Sequence, residues 1–312
     1  MNVIFRIALV ATMVVVAGVS SAQPASICPP PDGVALQILG SGGPIADDGR
    51  ASSGYLVWID GKARILIDAG GGTFLRFGEA KASFNDLDFV GLSHFHTDHS
   101  ADFVALLKSG NFSGRERSLR VAGPDGAGPF PGLLVYLDSL LNGNDGAYGY
   151  LQGYLDGSRG LAKLDAVEVG ADADSVIVFQ DAASDLKIEA LHVPHGIVPA
   201  LGFRVRSGDA TIVFASDQNG SDSAFIGFAK HASLLVMHMP IPQDATGGAL
   251  QLHARPGRIA EIASGAEAGT LVLSHFMARS LKSLDENVDV IREGYAQPIV
   301  VASDLDCLSV RP

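Results

Sequence analysis

Three histidines and an aspartate fall within six consecutive positions of the stretch LSHFHTDHSADF, as His94, His96, Asp98 and His99. The whole chain carries nine histidines, so a third of them sit in one short loop. Neutral imidazole and carboxylate are both good ligands for zinc-like ions. His94 and His96 lie two apart beyond an apolar run, and residues two apart in extended backbone point the same way, so both rings can reach one ion. Asp98 and His99 are adjacent, at the start of the next helix, and point elsewhere. One ion cannot easily use all four side chains, whereas two ions about 3.5–4 Å apart can.

Half of a binuclear site in one loop calls for partners downstream. His195 in LHVPHG, Asp217 in VFASDQN and His275 in LVLSHFM each follow an apolar run and precede a turn or helix, as a site at a sheet edge requires. Asp217, with two oxygens, suits a position between both ions.

The elements that must position these residues are legible as short apolar runs punctuated by glycine. VALQILG, GYLVWIDG, ARILIDAGGG and LDFVGLSH read as strands, the last delivering the histidine loop. ADFVALLKSG follows with helical spacing. SLRVAG reads as a strand and GPDGAGPFPG as a break. LLVYLDSLLNG and AYGYLQGYLDG form a Leu- and Tyr-rich helical insertion over about residues 124–160, readable as a lid or as ordinary packing. The second half repeats the pattern. SVIVFQ, LKIEALHV, ALGFRVRS, ATIVFASD, SLLVMHM and TLVLSHFM read as strands, and PIVVASDLDCLSV as the last strand. DSAFIGFAK, ARPGRIAEIASGA and LDENVDVIREGY read as helices. Two successive sets of strands with attached helices predict an α/β fold: two mixed sheets face to face with helices outside.

The N-terminus is set apart. Arg6 is followed by a 13-residue apolar run, Ile7 to Val19, and then by Ser20, Ser21 and Ala22. That is the order of a cleaved secretory signal peptide over residues 1–22. The run is shorter than the about 20 residues that span a membrane, so no anchor is expected after cleavage. Residues 23–312 then form a single domain, long enough to bury a full core. Export implies a periplasmic or secreted protein, in which Cys28 and Cys307 are expected to pair. Closing so long a loop would stabilise the fold by roughly 4–5 kcal/mol in the chain-entropy model. The formal net charge of −12 makes the chain a poor host for a polyanion. A small anionic substrate remains compatible with a locally positive site, and homodimeric assembly is left open.

HFHTDH resembles the H-x-H-x-D-H signature of the metallo-β-lactamase superfamily. LIDAGGG, residues 66–72, is similar to the Asp-containing strand end that precedes it in that family. LGSGGP, residues 39–44, and LQLHARPGRIAEIA, with His253 just 22 residues before His275, resemble motifs of the ribonuclease Z-like branch. The likeness runs from about Val34 to Val310. It implies a four-layer αβ/βα sandwich and two Zn2+ per chain, with Mn2+ or Fe as alternatives. His94, His96 and His195 would hold one ion, Asp98, His99 and His275 the other, and Asp217 would bridge. A hydroxide between the ions would be the nucleophile. His253 would act on the leaving oxygen, Asp98 would count among the catalytic residues, and Asp68 would orient a ligand histidine. GFRVRS follows His195 at the spacing of this branch, which favours His195 over His192 as the ligand. His238 stands where the branch has a histidine near the site, in a different setting, and its role is left open. His231 reads as a surface or helix-end residue.

The resemblance implies an exported metal-dependent hydrolase, with phosphodiester cleavage as the first reading. Alkyl- or arylsulfatase and lactone or β-lactam hydrolase are the alternatives. A mono-iron oxidoreductase would use fewer ligands than the seven present. The branch also contains a transfer-RNA 3′-processing nuclease. Its substrate-gripping arm lies between the third histidine and the bridging aspartate, a gap that is 22 residues here. The short gap, the acidity and the expected export all argue against tRNA.

Overall fold

The computed structural model describes residues 28, 32–171 and 174–310. The stretch read as a signal peptide lies outside the described residues. Among those described, no helix is long and apolar enough to cross a membrane.

Alternation within each strand sorts side chains into layers. In β2 (Gly54–Ile59), Tyr55, Val57 and Ile59 join the core between the sheets, while Leu56 and Trp58 face the other way. A strand buried on both faces needs a partner layer on each, and the chain provides them. β1 (Val34–Gly40), β2, β3 (Lys62–Ile67), β4 (Phe89–Gly91), β5 (Leu119–Pro124) and β6 (Leu164–Val169) make the first sheet. β7 (Val176–Asp181), β8 (Leu186–His195), β9 (Val198–Ser207), β10 (Ala210–Phe214), β11 (Leu234–His238), β12 (Thr270–Ser274) and β13 (Ile299–Val301) make the second. β14 (Cys307–Ser309) returns to the first sheet beside β1. Each sheet is part antiparallel and part parallel, switching at β3 in the first and at β10 in the second.

The helices are α1 (Thr73–Glu79), α2 (Thr97–Ser100), α3 (Phe103–Gly110), α4 (Leu133–Leu141), α5 (Gly153–Asp156), α6 (Ala224–Phe228), α7 (Ala249–Leu252), α8 (Pro256–Gly265), α9 (Ala278–Leu281) and α10 (Leu284–Gly294). Phe77, Phe103, Leu107, Leu137 and Tyr154 pack α1, α3, α4 and α5 onto the outer face of the first sheet. Phe225, Ile259, Ile262 and Ile291 pack α6, α8 and α10 onto the second. Four layers result, as expected. The helical insertion is built into this core through Leu133, Leu137, Leu141, Leu151 and Tyr154.

Five places differ from the sequence reading. PIVVASDLDCLSV is two short strands in different sheets, not one. The break comes at Asp304 and Asp306. Asp304 Oδ1 accepts from Ser41 N–H and Oγ–H, its Oδ2 from Ala51 N–H, and Asp306 Oδ2 accepts from Ser303 N–H. Aspartates that bind backbone this way favour turns over strands. β6, α1, α7 and α9 were not anticipated. β6 is an edge strand with Asp165 and Glu168 exposed, which blurs its alternation, and α1 is seven residues with a glycine inside it.

Cys28 and Cys307 form a disulfide across 279 residues of sequence, with Cα atoms 5.9 Å apart. It ties the start of the described chain to β14. Replacing both cysteines by serine is expected to lower the free energy of unfolding by roughly 4–5 kcal/mol, read from denaturant midpoints. An unchanged midpoint would show that the bridge does not constrain the unfolded chain.

Candidate metal centre

The site forms where the carboxyl ends of the parallel strands of both sheets meet, the usual place for function in α/β sheets. Asp68 follows β3, Ser93 to His96 follow β4, and Asp98 and His99 lie on α2. His195 ends β8, Asp217 lies just past β10, His238 ends β11, His253 follows α7 and His275 follows β12. Asp68, Ser216 and His275 adopt φ of 59°, 55° and 56°, a left-handed conformation that costs a non-glycine residue energy and collects at functional sites. Glycines allow the loops to close in. A Cβ on Gly70 would lie 2.0 Å from Asp98 O, and one on Gly43 would lie 3.3 Å from His275 Nε2.

All seven residues expected as ligands come together. Nitrogens of His94, His96 and His195 form one cluster, with His94 Nε2 3.0 Å from His96 Nδ1. In a second, Asp98 Oδ2 lies 3.6 Å from His99 Nε2 and 3.7 Å from His275 Nε2. Asp217 stands between them. Its Oδ2 is 3.6 Å from His99 Nε2 and 3.7 Å from His195 Nε2, and its Oδ1 is 3.4 Å from His275 Nε2. These separations are long for hydrogen bonds. They resemble the roughly 3.3 Å between two ligands of one tetrahedral ion with bonds near 2.0–2.1 Å. Moreover, Nε2 of His99, His195 and His275 is buried and has no hydrogen-bond partner. Buried polar atoms are rarely left so, and a set converging on one point is what a cation requires. The donor set therefore fits two divalent ions sharing Asp217.

The opposite nitrogen is held in four of the five expected ligand rings. His99 Nδ1–H donates to Asp68 Oδ2 at 2.8 Å. Ser93 donates to the same carboxylate twice, N–H to Oδ1 at 2.7 Å and Oγ–H to Oδ2 at 2.8 Å, and its Oγ accepts from His94 Nδ1–H at 3.2 Å. Asp68 thus orients both rings, one directly and one through Ser93. His195 Nδ1–H donates to Leu252 O at 2.9 Å, and Ser53 Oγ lies 2.7 Å from His275 Nδ1. Such partners fix ring orientation and leave Nε2 free for a metal.

His238 has both nitrogens engaged. Its Nδ1 lies 2.7 Å from Asp217 Oδ1 and its Nε2 2.9 Å from Tyr55 Oη, which also bonds Ser274. Although it lies close enough to count with the second cluster, it holds the Asp217 carboxylate. His253 is buried with its Nδ1 unpaired and 3.9 Å from Asp217 Oδ1. His192 is half-buried on β8 and His231 is exposed, both outside the clusters. Ser93, Ser53 and Tyr55 went unmarked in sequence, where a lone serine or tyrosine in a strand carries no signal.

Burial lowers the pKa of His94, His96 and His275 and pushes His253 down to about 4, so these rings are neutral, as metal binding requires. Burial alone would raise Asp217, but His275, His253 and His99 outweigh it and hold the carboxylate well below its usual range. Burial alone would lower His99, but Asp68 and Asp217 outweigh it and raise the ring. The second cluster thus draws positive charge, which a cation can supply. Removing the hydroxyl in Ser93→Ala is expected to weaken metal binding by about 10- to 100-fold in a chelator titration. Unchanged affinity would remove Ser93 from the set that orients the rings.

Comparison with known proteins agrees with this fold. The profile of the metallo-beta-lactamase superfamily matches residues 47–223. A ribonuclease Z from Mycobacterium sp. (strain KMS) is 30% identical over 256 residues, covering 78% of this chain and 84% of that protein. The crystal structure of the short form of human tRNase Z superposes with a TM-score of 0.68 at 19% identity, over 89% of this chain and 100% of that one. A diphosphatase of the PhnP family superposes with a TM-score of 0.60 at 15% identity, over 88% and 96%. The chain belongs to the metallo-beta-lactamase superfamily and is a metal-dependent hydrolase.

Proposed function

We propose that the protein is an exported hydrolase that uses two divalent ions, most simply zinc, to cleave phosphodiesters of small anionic molecules. The observation that carries the reading is the pair of clusters sharing Asp217, with its convergence of unpartnered buried nitrogens. His94, His96 and His195 would hold one ion and Asp98, His99 and His275 the other. Two such ions supply an activated water at neutral pH and neutralise charge on the reacting oxygens. Asp217, fixed by His238, sets the relation between the clusters, and Asp68 with Ser93 keeps two rings aimed. His253, next to His195 and His275, is placed to hydrogen-bond a substrate oxygen. As a neutral ring it can offer an N–H to the leaving oxygen, a role worth roughly 10²–10⁴-fold in rate. Export is supported by the disulfide, a bond that persists in oxidising compartments.

A second reading, RNA processing, is favoured by the relatives named ribonuclease Z. Against it, the span from His195 to Asp217 holds just β9 and β10, and the net charge of −12 opposes a polyanion.

Assays of bis-p-nitrophenyl phosphate, p-nitrophenyl sulfate, a chromogenic β-lactam and a precursor tRNA separate the readings. The phosphodiester is expected to dominate, and dominant turnover of any other would move the function to that class. His253→Ala is expected to keep its metal and lose at least a hundredfold in kcat. Loss of metal as well would make His253 a ligand.

A further inference from the structure

Among the seven expected ligands, His96 alone is not buried. His94, His99, His195, Asp217 and His275 are buried, whereas His96 is half-exposed. One neighbour of His96 is aromatic. The Phe130 ring stands edge-on to it, with centroids 6.2 Å apart. Phe130 is carried by the glycine- and proline-rich break after β5. Its backbone is fixed there by a reciprocal pair of hydrogen bonds with Ala127, each 3.0 Å. The break runs directly into α4, and α4 is locked to the histidine loop. Tyr136 stacks on Phe95 at 4.5 Å, and its hydroxyl donates to Ser100 O. Phe130 is therefore held in register with His96 by two independent contacts.

The β8–β9 turn, two residues past His195, carries Ile197, which is 77% exposed. The His195 ring lies 5.4 Å from that of His96. A single exposed isoleucine is unremarkable, but this one lies two residues past an expected ligand whose ring neighbours His96, and with Phe130 on His96 it offers a second apolar surface near the site. Three arginines each give at least one donor to the backbone: Arg50, Arg255 and Arg279 donate to the carbonyls of Ala302, Ala245 and Pro240.

We infer that the site selects a singly charged ester with one bulky apolar substituent, aryl or branched alkyl, which Phe130 and Ile197 seat beside His96. This rests on the phosphodiesterase reading and sharpens it. The charged phosphoryl group goes to the ions and the apolar group to these two side chains, an arrangement that suits neither a polynucleotide nor a polyphosphate.

The test compares bis-p-nitrophenyl phosphate with methyl p-nitrophenyl phosphate, which share a leaving group and differ in the second substituent. Wild type, Phe130→Ala and Ile197→Ser are assayed on both, with metal content measured in each. The wild type is expected to prefer the diaryl ester in kcat/KM. Each substitution is expected to cut that preference by about tenfold, mainly through KM, with metal retained. Equal losses on both substrates, or a preference that survives both substitutions, would overturn the assignment of Phe130 and Ile197. Failure of the wild type to cleave either ester would instead sink the phosphodiesterase reading, and this inference with it.

Discussion

Asp217 is a carboxylate buried among imidazoles, and the site depends on making that burial tolerable. Taking a carboxylate out of water costs several kcal/mol unless charges and hydrogen bonds compensate. His238 supplies one hydrogen bond to Oδ1, and the remaining lone pairs face His99, His195 and His275 at distances that hydrogen bonds do not explain. Cations held between them would resolve the arrangement. The same ions would satisfy the unpartnered Nε2 atoms and tie the two sheets together, since His99 comes from the first sheet and Asp217, His195 and His275 from the second.

The scaffold gives this centre its rigidity. The residues that build it leave strand ends, and three of the positions concerned have left-handed backbone that only a well-packed surrounding can hold. Packing comes from the core between the sheets, where Tyr55 serves twice. Its ring lies among Val57, Phe214 and their neighbours, while its hydroxyl reaches His238. The chain's last turn contributes as well. Asp304 holds Ser41 and Ala51, in the loop that sets Gly43 against His275, and the nearby disulfide fixes the strand that follows.

The parts of this centre that sequence reveals are those governed by local geometry. Two histidines two apart after an apolar run, followed by an acid and a histidine on a helix, are constrained by backbone period alone. The later residues were legible because each ends a strand. The partners that orient the rings were not. Ser53 reaches His275 across 222 residues, and Tyr55 reaches His238 across 183, contacts that no spacing encodes. The fold was similarly readable wherever alternation was strong. It was lost at β6, an edge strand with charged residues, and at the aspartate-rich turn that splits the last run between two sheets.

The central claim is that two ions share Asp217. Elemental analysis of the purified protein, dialysed free of loosely bound metal, tests it most directly. The account requires two divalent ions per chain in the wild type, falling to one or fewer in Asp217→Ala while the variant remains folded by circular dichroism. A single ion in the wild type, or two ions retained in the folded variant, would contradict it.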